Sequence, residues 1–174
     1  MRKWVISIVL CVVQLQGVYA PEVEKGFAEY RSRMILVRFL PFTEEEFIWY
    51  LEQQDIPFKD IVISQARLET GNYTSAIFLK GNNLFGMRHP VIRPTKSLGS
   101  EQGHAYYSHW TDSVDDYVLW YEYYMHRLDG CYYEFLKEVG YAEDKRYIQK
   151  LRDITFRENK NLISLSHKEV RFVW

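Results

Sequence analysis

Cysteine is nearly absent from this chain. Cys11 and Cys131 are its two cysteines, and Cys11 lies in a stretch that reads as a removable leader. The mature chain then keeps one thiol, which excludes an internal disulfide and a cysteine-based zinc site. The five histidines show no metal-ligand spacing, so neither a metal nor a cofactor is expected. There is no long hydrophobic run either. Trp4–Val13 is apolar, but it is too short to span a bilayer. Nor is there an excess of positive charge. Lys+Arg total 22 against 23 Asp+Glu, and without residues 1–20 the balance is 20 against 23, a net charge of −3. No basic patch recommends nucleic acid as a partner. Internal repeats and low-complexity segments are missing too.

What is present suits one domain. Of the 174 residues, 47% are hydrophobic and 17% aromatic, including 14 Tyr, enough apolar matter for a core. Most of these tyrosines are expected to pack with the hydroxyl left wet. Arg2 and Lys3, the apolar run and the Val18-Tyr19-Ala20 end have the order of a secretory signal. Residues 1–20 are therefore expected to direct export to the periplasm or the extracellular space. Residues 21–42 read as a linker or N-terminal helix, and 43–174 as the functional domain. No stable membrane span should remain after processing, and a monomer is expected.

Thr43-Glu44-Glu45-Glu46 is a capping box opening a helix to about Gln54. A second helix is expected from near Phe58 to Thr70, with Pro57 before it and Gly71 just past its end. Pro90, Pro94 and the turn-rich Leu98–Gly103 break the middle of the chain, and a small β-hairpin is expected there with Gly103–Ser108 as its outgoing strand. Thr111-Asp112-Ser113 reads as the cap of a further helix, with Asp115 and Asp116 in its first turn in a structural role. Shorter helices are expected over Tyr132–Val139 and Glu143–Asp153. The resulting fold class is α+β, mainly helical.

The chemistry centres on the helix before Gly71. At 100° per residue, Phe58, Ile61, Val62, Ala66 and Leu68 share one side, and Gln65 and Glu69 lie in its middle. A carboxylate aimed at a core must be paired, protonated or facing a cleft. Glu69 also sits at the negative end of its helix. Both effects raise a carboxyl pKa, as a general acid requires. A Glu that caps a buried donor fits the same pattern.

The string Gln65-Ala66-x-Leu68-Glu69-Thr70-Gly71, then Ser75, then Asn82-Asn83-Leu84-Phe85-Gly86-Met87, resembles the glucosaminidase family of peptidoglycan hydrolases, glycoside hydrolase family 73. Tyr107-x-x-Trp110-x-x-Ser113-Val114-x-Asp116-Tyr117 and Gly140-Tyr141-Ala142-Glu143-Asp144-x-x-Tyr147-x-x-Lys150-Leu151 continue it. His109 departs from it, standing where the family commonly has Ser. The resemblance covers roughly residues 43–152.

It implies a lysozyme-like fold with a small β-hairpin beside the cleft. It also implies a secreted endo-β-N-acetylglucosaminidase acting on β-1,4 bonds of peptidoglycan glycan strands. Glu69 would be the general acid. A second catalytic group is needed, and Glu101 is the only acidic residue between Glu69 and Asp112. Tyr107 would line the cleft, where its phenol meets the acetamido group or a water. Gln65, Asn83, Phe85, Tyr106 and Trp110 complete the expected substrate contacts, with Phe85 and Met87 as cleft wall and Asn83 also suited to shaping the backbone. A muramidase or lytic transglycosylase on the same fold, and a non-catalytic wall-binding module, are the rival readings.

Overall fold

A computed structural model describes residues 22–169. The expected signal, residues 1–20, lies outside them. The chain divides after Pro41 into two units. In the first, residues 22–36 form helix α1, followed by a 3-10 turn, Val37–Phe39. The second carries α2 (Glu44–Glu52), α3 (Lys59–Thr70), α4 (Ala76–Gly81), β1 (Gly99–Glu101), β2 (His104–Tyr106), α5 (Trp110–Tyr124), α6 (Tyr132–Glu138) and α7 (Tyr147–Glu169). Among the described residues the fold is helical apart from one two-stranded antiparallel sheet, so α+β describes it.

Local chemistry explains most of the boundaries. Thr43 caps α2, its hydroxyl accepting from Glu46 N at 3.1 Å. Ser75 caps α4 through Phe78 N at 3.3 Å. Gly71 ends α3 in the left-handed region at φ 56°, a conformation that glycine adopts without strain. Helix α3 begins at Lys59, next to Phe58 as the sequence predicts. Phe58 is not helical but sits in the left-handed region at φ 58°, partly exposed. Helix α5 begins earlier than expected. His109 is its N-cap, with Nδ1 accepting from Thr111 N at 3.3 Å, so Asp116 falls beyond the first turn and is buried. Helix α7 begins later, at Tyr147, because Asp144 turns the chain by accepting from Arg146 N and Lys150 Nζ.

The core lies between α2, α3 and α5, and is largely aromatic. Phe47, Tyr50, Phe85, Trp110, Tyr117, Tyr132 and Phe135 are all buried. Rings meet edge-on or tilted, such as Tyr50 on Trp110 at 5.7 Å and Phe85 on Tyr117 at 4.2 Å. Arg67 ties α2, α3 and α7 together through Glu44 at 2.7 Å and Glu158 at 3.0 Å. The hairpin pairs Gly99 with Tyr106 and Glu101 with His104. It is held to the body by Ala105 N donating to Met87 O and Tyr107 N to Gly81 O.

Candidate active site

Glu69 is the next-to-last residue of α3 and half-buried. It opens into a cleft of about 530 Å³. One wall is the loop after α4, with Phe85, Gly86, Met87 and Arg88. Tyr141 and its neighbours after α6 also line the cleft, and His104 of β2 is the hairpin residue that reaches it. The cleft thus brings together residues of the helical body and one residue of the hairpin, in keeping with a lysozyme-like fold.

The carboxyl of Glu69 is held from two directions. Gly86 lies against it so closely that a Cβ built on Gly86 would stand 2.7 Å from Glu69 Oε2. From α7, the Tyr147 hydroxyl donates to the carboxyl. Burial raises the pKa of Glu69 above the ordinary carboxylate range, and the Tyr147 hydrogen bond opposes that shift only in part. A group in this state keeps its proton to higher pH than an exposed Glu.

Behind Tyr147 the hydrogen bonds run on into the core. Gln65 Nε2 donates to Tyr147 Oη at 3.3 Å, and Tyr117 Oη donates to Gln65 Oε1 at 2.6 Å. The Tyr132 hydroxyl closes the chain on Tyr117. Gln65 is fully buried, so it acts behind the cleft, fixing the tyrosine that touches Glu69. Tyr141 Oη donates to Phe85 O at 2.8 Å. Burial, with Tyr147 and Glu69 close by, raises the Tyr141 phenol well above its usual value, so it remains a neutral donor.

The loop carrying Gly86 is shaped by Asn83. Its Nδ2 donates to Met87 O at 2.9 Å and Ala105 O at 2.8 Å, while its Oδ1 accepts from Phe85 N and Met87 N. All its side-chain atoms are thus engaged with backbone. Asn83 shapes the turn, the second of the two roles its sequence position suggested. Phe85 and Met87 line the cleft as expected.

The remaining expected residues lie elsewhere. Trp110 is 2% exposed and packs in the core against Phe42, Tyr50 and His109. Tyr107 is buried, and its hydroxyl donates to Asp116 Oδ2 at 2.9 Å. Burial first, then Asp116, raises its phenol far above the usual range, so it too stays protonated. Asp116 also takes both terminal nitrogens of Arg93 (3.1 and 3.0 Å), the Thr95 hydroxyl (2.6 Å) and Lys96 N (2.9 Å). This buried knot fastens the loop before the hairpin to α5, and Arg93 reaches the cleft wall from it. Glu101 is exposed at the hairpin end. With Tyr106 it lines a separate small pocket against α4, not the cleft that holds Glu69.

Sequence reasoning assigned no role to His104, Arg93, Tyr141 or Tyr147. Tyr141 and Tyr147 belong to the third matched block of the family resemblance, which is the signal that could have found them.

The family model for glucosaminidase, described as mannosyl-glycoprotein endo-β-N-acetylglucosaminidase, matches residues 44–160. That span takes in the cleft, Glu69 and the hairpin. No curated protein and no solved structure matches the chain. With its half-buried carboxyl at the floor of a cleft between helices and hairpin, the chain belongs to the glucosaminidase family of glycoside hydrolases.

Proposed function

We propose that the protein is an endo-β-N-acetylglucosaminidase that cuts the β-1,4 bond on the reducing side of N-acetylglucosamine in peptidoglycan, with Glu69 as general acid. The observation that carries this is the state of Glu69. It faces a cleft, its pKa is raised by burial, and it is clamped between Gly86 and Tyr147. A glycosidic oxygen is a poor leaving group until it is protonated, and a carboxyl that keeps its proton to higher pH than an exposed Glu is suited to supply that proton. The open cleft suits a polymer entering sideways.

Export belongs to the same reading. The substrate lies outside the cytoplasm, and the charged, then apolar, residues 2–13 have the order of an export signal. Mass spectrometry of the reducing ends released from purified peptidoglycan tests the proposal. N-acetylglucosamine ends support it. N-acetylmuramic acid or anhydro ends would assign a muramidase or lytic transglycosylase instead.

A further inference from the structure

Hydrolysis needs a second group besides the acid, and the cleft narrows the choice. Glu143 is a lining carboxylate, but it is an exposed rim residue paired with Arg88 at 3.0 Å. Tyr141 is engaged with Phe85 O, and Arg93 with Asp116. His104 is different. It projects from β2 into the wall shared by the cleft and the small pocket beside α4.

Its Nδ1 lies 3.3 Å from Gly86 O. A carbonyl oxygen only accepts, so Nδ1 carries the proton, and in the neutral ring Nε2 keeps its lone pair. Among the described residues no side chain or backbone group is hydrogen-bonded to Nε2. Gly86 thus touches Glu69 on one side and His104 through its carbonyl on the other. One residue spaces a carboxyl acid and an imidazole base along one cleft. His104 shares the lining of the cleft with Glu69 of α3 and Arg88 of the cleft loop, and that of the small pocket with Lys80 of α4 and Glu101 of β1. Glu101 is paired directly with His104 across the ribbon, so their side chains share a face.

We infer that His104, the cross-strand neighbour of Glu101, is the base that activates the attacking water. The inference rests on the reading of Glu69 as acid. Glu69 gives its proton to the leaving oxygen as the C1–O bond breaks. Water forms the new bond to C1 from the opposite face, and its proton passes to His104 Nε2. The imidazolium then returns a proton to the Glu69 carboxylate through solvent. The outcome is inversion at C1.

The test uses the full chain and purified peptidoglycan. NMR of the first product should show the α-anomer at the new reducing end. His104→Ala should lose roughly 100-fold or more in kcat with KM little changed, the scale of a missing general base. Azide, a nucleophile that needs no deprotonation, should restore turnover and leave an α-glycosyl azide. A merely structural histidine would give neither. A β-anomer as first product would overturn the inference, as would His104→Ala within a few-fold of wild type. Full activity in His104→Asn, which preserves a donor to Gly86 O, would reduce His104 to a positioning residue and overturn it too. Glu101→Gln abolishing turnover while His104→Ala retains it would pass the role to Glu101. Wild-type protein that releases no N-acetylglucosamine ends would overturn the Glu69 reading, and with it this one. In each other case the Glu69 reading stands.

Discussion

The carboxyl of Glu69 rests on the backbone of Gly86, with room for no atom between them. Gly86 is at φ 62° and a Cβ there would meet Oε2 at 2.7 Å. Gly86→Ala therefore carries two penalties. The left-handed conformation costs about 1–2 kcal/mol for an L side chain, and the methyl pushes the carboxyl out of line. A modest fall in Tm is expected, with a loss of roughly 100-fold in kcat, the scale of an ångström-sized misplacement. Thermal melts and steady-state kinetics on the same preparation check both. Unchanged kcat would show that the carboxyl position does not matter.

Tyr147→Phe should move the pH profile in a defined direction. The Tyr147 hydroxyl donates to the ionised carboxyl and so lowers a pKa that burial has raised. Without it the pKa of Glu69 rises further and the acid form persists to higher pH. The alkaline limb of kcat/KM is expected to shift upward. Gln65 also loses a buried partner, at a cost of about 1–3 kcal/mol. A downward shift of the limb would contradict the assignment.

Asp116 and Arg93 form the ion pair that holds the cleft loop against α5, with both side chains nearly inaccessible. Removing one partner strands the other charge, so Asp116→Asn or Arg93→Met should cost about 3–5 kcal/mol. The pair also sets an acid limit. Burial alone would raise the Asp116 pKa, but Arg93, Thr95 and Lys96 N hold it below the ordinary 3.8. Its contribution is present above that value and is lost as pH falls through the lower folded-state value. Denaturant melts from pH 7 to pH 2 should show the gap between wild type and Asp116→Asn closing at the acid end. A gap that does not close would refute this.

The protonation of Glu69 acts with the opposite sign. Its folded pKa is raised, so the protonated form stabilises the fold in acid, and that contribution is lost as pH rises through the folded value. Glu69→Gln has no proton to lose. It should equal or exceed wild type in stability at neutral pH, and denaturant midpoints at matched pH check this.

Much of the fold was legible in the sequence because caps and glycines act locally. Thr43 starts α2 through its side chain, and Gly71 and Gly140 follow helix ends in the left-handed conformation; the Ser75 cap of α4 was not among the expectations. The hairpin followed from turn residues and alternation. Long-range pairings were not legible. Asp116 lies twenty or more residues from Arg93, Thr95 and Lys96, and nothing local distinguishes it from a solvated helix carboxylate. Ser64, a polar residue of α3, is buried because its hydroxyl bonds back to Asp60 O at 2.9 Å and α3 is covered on more than one side. Gln65 and Asn83 have the chemistry of sugar ligands, but backbone carbonyls and tyrosine hydroxyls reach them first.

The most direct measurement is turnover of purified peptidoglycan by Glu69→Gln, compared with wild type and with folding checked by circular dichroism. Glutamine keeps the shape and removes the transferable proton. A loss of roughly 100-fold or more with intact fold and retained glycan binding is predicted. Turnover near the wild-type rate would contradict Glu69 as the acid.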